Sequence, residues 1–223
     1  ERIRDKVAAA KKKGKHTGGP PILGYDIDTP NRRLVVNPAE ADLVRRIFRL
    51  FLQLGSGMKV AKALNAQGFR TKAWTTRSGK VRPGQPWDKI AVNRVLNNVK
   101  YVGQVSHKGK LYDGEHEAII DRRTWDRAQA ILATNYSARA AHSRRKTPAL
   151  LGGLIRCGTC GKAMGVTFTR RRGKGYRYYL CGTAAKQGYD QCPVRSVATG
   201  EVERAVFEQL RGVFRSPDVV ART

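Results

Sequence analysis

Four cysteines constrain this 223-residue chain more tightly than any other feature. Two residues separate Cys157 from Cys160, twenty separate Cys160 from Cys181, and ten separate Cys181 from Cys192. A redox Cys-x-x-Cys pair needs a surrounding βαβ pattern. Here "IRCGTCGKAMGVTFTRRRGKGYRYYLC" reads instead as two β-rich arms around a basic, glycine-containing turn. Disulfides are uncommon in reducing compartments, and no charged–apolar–small export signal opens the chain. A catalytic metal keeps one position open and usually employs histidine, whereas four thiolates close a tetrahedral shell. The spacing therefore points to one structural Zn2+ on Cys157, Cys160, Cys181 and Cys192. Gly161, directly behind the first pair, suits a tight knuckle in which backbone N–H groups face the sulfurs. A unit of about 50 residues buries little core, so the metal is expected to supply much of its folding energy.

Charge is the second constraint. Lys and Arg number 44 against 17 Asp and Glu, a net +27. Such a chain repels itself unless it meets an anionic partner, and nucleic acid is the usual one. Anionic membrane is the rival. No apolar run approaches the roughly 20 residues needed to span a bilayer, and no lipidation motif is present. The expected location is the cytoplasm. At 40% apolar residues, most of the chain is expected to fold.

Ahead of the cysteines the pattern is mainly helical. Residues 1–13 read as the end of a long helix, with lysines at the dipole-favoured C-terminus and Gly14 as the stop. The Gly/Pro-rich stretch from Gly14, "GKHTGGPPILGYDID", reads as an extended connector rather than a packed element, with its connector part at 14–24. Such a slim basic segment can lie in a minor groove, through Lys11, Lys12, Lys13, Lys15 and His16. A helix over 37–55 carries an Asn37 N-cap, Pro38 at the first turn and Glu40 at the capping-box position. A shorter helix follows over 56–69, then a polar loop or loose hairpin over 70–86.

The third helix, capped by Asp88, buries Val92, Val95, Leu96 and Val99 and places Lys89, Asn93, Arg94 and Asn97 opposite. Arg and Asn carry the forked donors that suit guanine and adenine edges. Short helix, turn and polar-faced helix is a helix-turn-helix pattern, and the hairpin expected around "HKGK" supplies a wing. A helix over 122–134 closes this domain, 25–134. A basic linker follows over 135–148, with Arg139, Arg144, Arg145 and Lys146, then the ribbon over 149–200 and a C-terminal helix and tail over 201–223. The ribbon tip, Arg170, Arg171, Arg172 and Lys174, is the second expected DNA contact. The fold class is α+β: a helical, winged-helix-like domain followed by a small zinc β ribbon.

Four stretches, "GGPPILGYD", "WDKIAVNRVLNNVKYVG", "GEHEAIIDRRTWDRAQAIL" and "GLIRCGTCGKAM…YRYYLC…C", occur in this order between residues 1 and 211. Their order resembles the C-terminal part of the large serine recombinases (serine integrases). The resemblance implies that 1–13 ends the long helix leaving a catalytic domain and that 14–24 runs in the minor groove near the crossover. It implies that the helix matching 88–99 enters the major groove, and that 135–148 and the ribbon read the outer half of each attachment half-site. Members of the family bind as dimers on each site, synapse as tetramers, and cut through a serine-linked 5′-phosphodiester to integrate or excise phage and mobile-element DNA. No serine here sits in the family's Tyr-x-Arg-x-Ser motif, so this chain is expected to bind DNA and not to cleave it. The coiled coil that many members carry in the zinc domain is not visible. Two other readings stay open: a non-enzymatic, zinc-containing transcription regulator, and an RNA-binding ribbon protein.

Overall fold

The computed structural model describes residues 2–31, 33–76, 78–143 and 149–215. The chain divides into two compact units at Ala141/His142.

The first unit opens with α1 (Arg2–Lys12), which buries no side chain. A hairpin follows, β1 (Tyr25–Asp28) paired antiparallel with β2 (Arg33–Val36). Then come α2 (Pro38–Leu54) and α3 (Gly57–Ala66), a short pair β3 (Trp74–Thr75) and β4 (Val81–Arg82), and α4 (Lys89–Leu96). A 3-10 turn over Val99–Val102 leads into β5 (Gln104–His107) and β6 (Lys110–Asp113), and α5 (Arg122–Ser143) closes the unit. Local chemistry sets the boundaries. Asn37 Oδ1 accepts from Glu40 N, and Gly55, in the left-handed region at φ 64°, ends α2. Asp88 Oδ1 accepts from Ile90 N and Ala91 N at the start of α4. The wing turns on Lys108 and Gly109, at φ 48° and 78°, the two positive values a tight hairpin turn requires.

Val44, Ile47, Phe48 and Phe51 of α2, Val60 and Leu64 of α3, Val92 and Leu96 of α4, and Trp125 of α5 meet in one core with Trp87 and Tyr101. Two sequence readings change here. Leu23, Gly24 and Tyr25 are packed, not extended in solvent. Tyr25 is fully buried, and its hydroxyl lies 2.7 Å from Glu117 O and 3.0 Å from Lys100 O. The glycines and prolines around it mask a single buried aromatic. Secondly, α5 runs past 134 to Ser143, because the stretch read as linker contains Ala and other helix-tolerant residues and no Pro or Gly before Pro148. The loose hairpin expected over 70–86 is present, as β3–β4, between α3 and α4. Asn65 closes the gap by bonding both Trp87 O and Trp87 N at 2.8 Å.

The second unit is a three-stranded antiparallel sheet, β7 (Met164–Arg171), β8 (Lys174–Cys181) and β9 (Ser196–Ala198), in the order β7-β8-β9. Between β8 and β9 lie α6 (Gly182–Gln187) and a 3-10 turn over Tyr189–Gln191. The last helix, α7 (Thr199–Arg215), is bonded into the ribbon rather than lying beyond it. Glu203 Oε1 accepts from Tyr179 Oη at 2.7 Å and from Leu150 N at 3.0 Å. Among the described residues no helix is long and apolar enough to cross a membrane.

Candidate metal centre and nucleic-acid interface

The sulfurs of Cys157, Cys160, Cys181 and Cys192 all lie within 4.8 Å of one another. Cys157 and Cys192 are 3.7 Å apart and Cys160 and Cys181 3.4 Å. A tetrahedral metal with sulfur at about 2.3 Å places its ligands about 3.8 Å apart, so the cluster fits a four-thiolate ion with little adjustment. Backbone bonds pre-form it. Gly161 N–H donates to Cys157 O at 2.8 Å, and Cys157 N–H donates to Lys162 O at 2.9 Å. Gly161, at φ 67°, makes the turn that a side chain would strain. Cys181 N–H donates to Arg195 O at 3.0 Å. The ten residues before Cys192 are not slack, because α6 and the 3-10 turn carry the chain out and back.

The thiols differ in acidity. The Thr183 hydroxyl, then the Lys162 backbone N–H, hold the Cys160 thiol well below its ordinary range. Burial, with the neighbouring thiols, pushes the Cys192 thiol up. Four bare thiolates at this spacing repel one another, and a dication removes the conflict.

The polar face expected on α4 divides in two. Val92, Val95 and Leu96 are buried as expected. Arg94 and Asn97 are exposed, and the missing member of their face is Ile90, 37% exposed. Lys89 and Asn93 instead line a small cleft with Phe51, Gly57, Met58, Leu132 and Asn135. A side chain added at Gly57 would come within 2.9 Å of Asn93 Oδ1, so Asn93 lies against the start of α3. At 100° per residue, 89 and 93 flank the buried stripe beside 96, while 90, 94 and 97 point away from it. The sequence reading grouped polar residues by type, and Ile90 escaped it for being apolar; its helical angle was the available signal.

The C-terminus of α1 sits beside the wing. Gly14, at φ 72°, packs on the backbone of Asp113, Gly14 O accepts from Glu115 N at 3.1 Å, and Lys15 lies 4.0 Å from Glu115. Desolvation, and then the charges of Lys11, Lys108 and Lys12, hold the His107 imidazole below its ordinary range. Those lysines are therefore neighbours, and Lys108 joins the basic patch that the sequence assigned to Lys11, Lys12 and Lys13. His16 is not on that surface. Both its ring nitrogens are buried without a protein partner, and burial, Lys100 and His116 lower its pKa.

In the ribbon, Arg170, Arg171, Arg172 and Lys174 are all exposed at the tip, with Arg172 and Gly173 forming the turn. Arg144, Arg145 and Lys146 lie outside the described residues, as does the side chain of Arg139.

A helical unit with an exposed polar helix face and a basic wing, followed by a four-cysteine β ribbon, defines a class of two-domain nucleic-acid readers. Residues 38–135 match the sequence model of the Recombinase family, and residues 150–211 match that of the recombinase zinc beta ribbon domain. A Bacillus subtilis (strain 168) protein named as a DNA recombinase is 24% identical over 97% of this chain and 48% of its own length. A Sinorhizobium fredii protein, y4bA/y4pH, is 27% identical over 70% of this chain and 27% of its own. Among solved structures, a chain from work on the sequence requirements of the Listeria innocua prophage attP site is 25% identical. It has a TM-score of 0.50 and covers 95% of this chain and 87% of its own. A chain from the crystal structure of an LSR–DNA complex is also 25% identical, with a TM-score of 0.51 and coverage of 95% and 66%. The chain belongs to the large serine recombinases, of which it carries the recombinase domain and the zinc ribbon domain. It spans about half the length of the B. subtilis relative and about a quarter of the S. fredii one.

Proposed function

We propose that this chain is the DNA-recognition part of a site-specific serine recombinase and binds double-stranded attachment half-sites in the cytoplasm. The carrying observation is that a recombinase domain and a recombinase ribbon stand in one chain, each with exposed basic groups. Between Asp126 and Asp190 there is no acidic residue at all. In this reading α4 presents Arg94 and Asn97 to base edges, and Lys11, Lys12 and Lys108 hold phosphates beside it. The ribbon grips a more distal stretch of duplex. Cys157, Cys160, Cys181 and Cys192 would hold one structural Zn2+, which closes the shell and supplies no chemistry of reaction. Dimers on each site and tetramers in synapsis belong to the whole recombinase, as does strand cleavage.

The test is a footprint on selected duplexes, with the full chain and with residues 149–223 deleted. A protected half-site whose outer part is lost on deletion supports the reading. Equal affinity for every duplex, or preference for RNA in competition, overturns it. Binding should also be salt-sensitive: with about six phosphates neutralised, affinity falls about a thousandfold between 50 and 200 mM salt.

A further inference from the structure

Strand register sorts the ribbon's side chains onto two faces, since residues directly opposite in an antiparallel pair share a face and neighbours along a strand alternate. Met164 pairs with Cys181, Val166 with Tyr179, Phe168 with Arg177 and Arg170 with Gly175. This face carries the buried residues Met164, Tyr179 and Cys181, and α7 closes it through the Glu203–Tyr179 bond and Thr199 Oγ1 donating to Arg177 O. The charge of Arg177 acts on Glu203, so that arginine already has an acidic neighbour.

The other face pairs Thr167 with Tyr178, Thr169 with Tyr176 and Arg171 with Lys174. None of these six side chains is buried, and Tyr176 is 44% exposed. Like charges directly opposite one another destabilise a sheet. Arg171 and Lys174 hold that arrangement at the tip, in a stretch of sequence without a single acidic residue. A local rule broken without internal compensation marks a functional surface. The hydroxyls of Thr and Tyr and the cations of Arg and Lys are the groups that bind phosphate and sugar oxygens.

We infer that the Thr167–Tyr178 face of the ribbon is the surface laid against duplex DNA, with Arg171 and Lys174 straddling the phosphate backbone, while Arg170 and Arg177 face away. This rests on the DNA-binding reading above and divides a basic tip that the sequence presents as uniform.

Arg170 and Arg171 are adjacent on one strand and carry the same charge, so their charge reversals differ only in face. Full-length Arg170→Glu and Arg171→Glu are compared for binding to a duplex half-site by fluorescence anisotropy, with metal content and circular dichroism confirming the fold. Arg171→Glu is expected to weaken binding at least about tenfold and Arg170→Glu less than about threefold, since a lost phosphate contact adds to the shared long-range term only for the former. Tyr176→Ala is expected to weaken binding further than Phe168→Ala, which lies on the α7 side. Equal losses for the two arginines, or a larger loss for Arg170→Glu, overturn the face assignment and leave DNA binding intact. A wild-type chain that binds no duplex overturns both.

Discussion

Phe48 and Cys181 are both fully buried, by different means. Phe48 lies against Tyr101 and Trp125, at ring-centroid distances of 6.3 and 5.9 Å, within a cluster of 21 buried residues. Cys181 lies in a cluster of six, of which three are cysteines. The helical unit can draw its stability from apolar area, at about 25 cal/mol per Å2 removed from water. The ribbon cannot: one face of its long strands buries no Thr, Tyr, Arg or Lys side chain and is exposed toward the tip, and its buried set converges on sulfurs. A unit freed from enclosing a large core can lay out a flat, exposed sheet face, but it then depends on whatever closes the thiol cluster.

The largest effect should come from attacking that dependence. Cys181→Ser, or a strong chelator, is expected to unfold the ribbon while the helical unit stays folded, because structural zinc contributes about 10–16 kcal/mol in small metal-folded domains. Proton-detected NMR would show the β7–β9 resonances collapsing and those of α2 and α4 unmoved. A ribbon that stays folded after metal removal would erase the contrast. The reciprocal change, Phe48→Ala, should cost about 3–5 kcal/mol by opening a cavity the core cannot refill. Urea titration should show a lower midpoint for the helical unit and none for the ribbon.

A smaller effect tests a part-buried charge cluster of the helical unit. Lys72 reaches Glu40 Oε2 at 2.6 Å and Tyr25 O at 2.8 Å, and Glu40 Oε2 also accepts from Gly24 N at 2.9 Å. The loop after α3 is thereby pinned to β1 and α2. Lys72→Met should cost about 1–3 kcal/mol by stranding the half-buried carboxylate, and adding Glu40→Gln should return part of it. No recovery would mean that Lys72 acts through packing alone.

Much of this was legible from the chain. Asn37, Asp88 and Gly55 mark their helix ends by chemistry that needs no tertiary partner, and the cysteine spacing implied a cluster that the fold does assemble. What escaped depended on long-range contacts. Tyr25 looks like a residue of a flexible connector until Glu117 and Lys100 meet its hydroxyl. Lys89 and Asn93 look equivalent to Arg94 and Asn97 until α3 and α5 settle which side of α4 is covered. The β1–β2 hairpin escaped because its strands are only four residues each, too short for the alternation of Tyr25 and Ile27 to stand out, and only Tyr25 and Leu34 are buried in it.

The last comparison is one of acid sensitivity. In the helical unit, burial lowers the pKa of His16 and of His116, and the charge of Lys100 lowers both further; the Lys100 carbonyl, 2.8 Å from His116 Nε2, works the other way. Both folded values lie below the ordinary 6.5, so between the two the unfolded chain binds more protons than the folded one. Stability from this source is complete above about pH 6.5 and is lost as pH falls through the lowered folded values. Asp121, whose carboxylate is held down first by the Thr124 N–H, enters only at more acid pH, in a separate window. The helical unit should therefore melt lower at pH 5 than at pH 7.5, and His16→Gln should flatten that slope, because its ring nitrogens have no protein partner to lose. An unchanged slope in the variant, abolished by His116→Gln and kept in His107→Gln, would assign the acid loss to His116, whose ring stacks edge-on to Tyr25 at 5.4 Å, and would place the pH response in the core rather than where the connector docks.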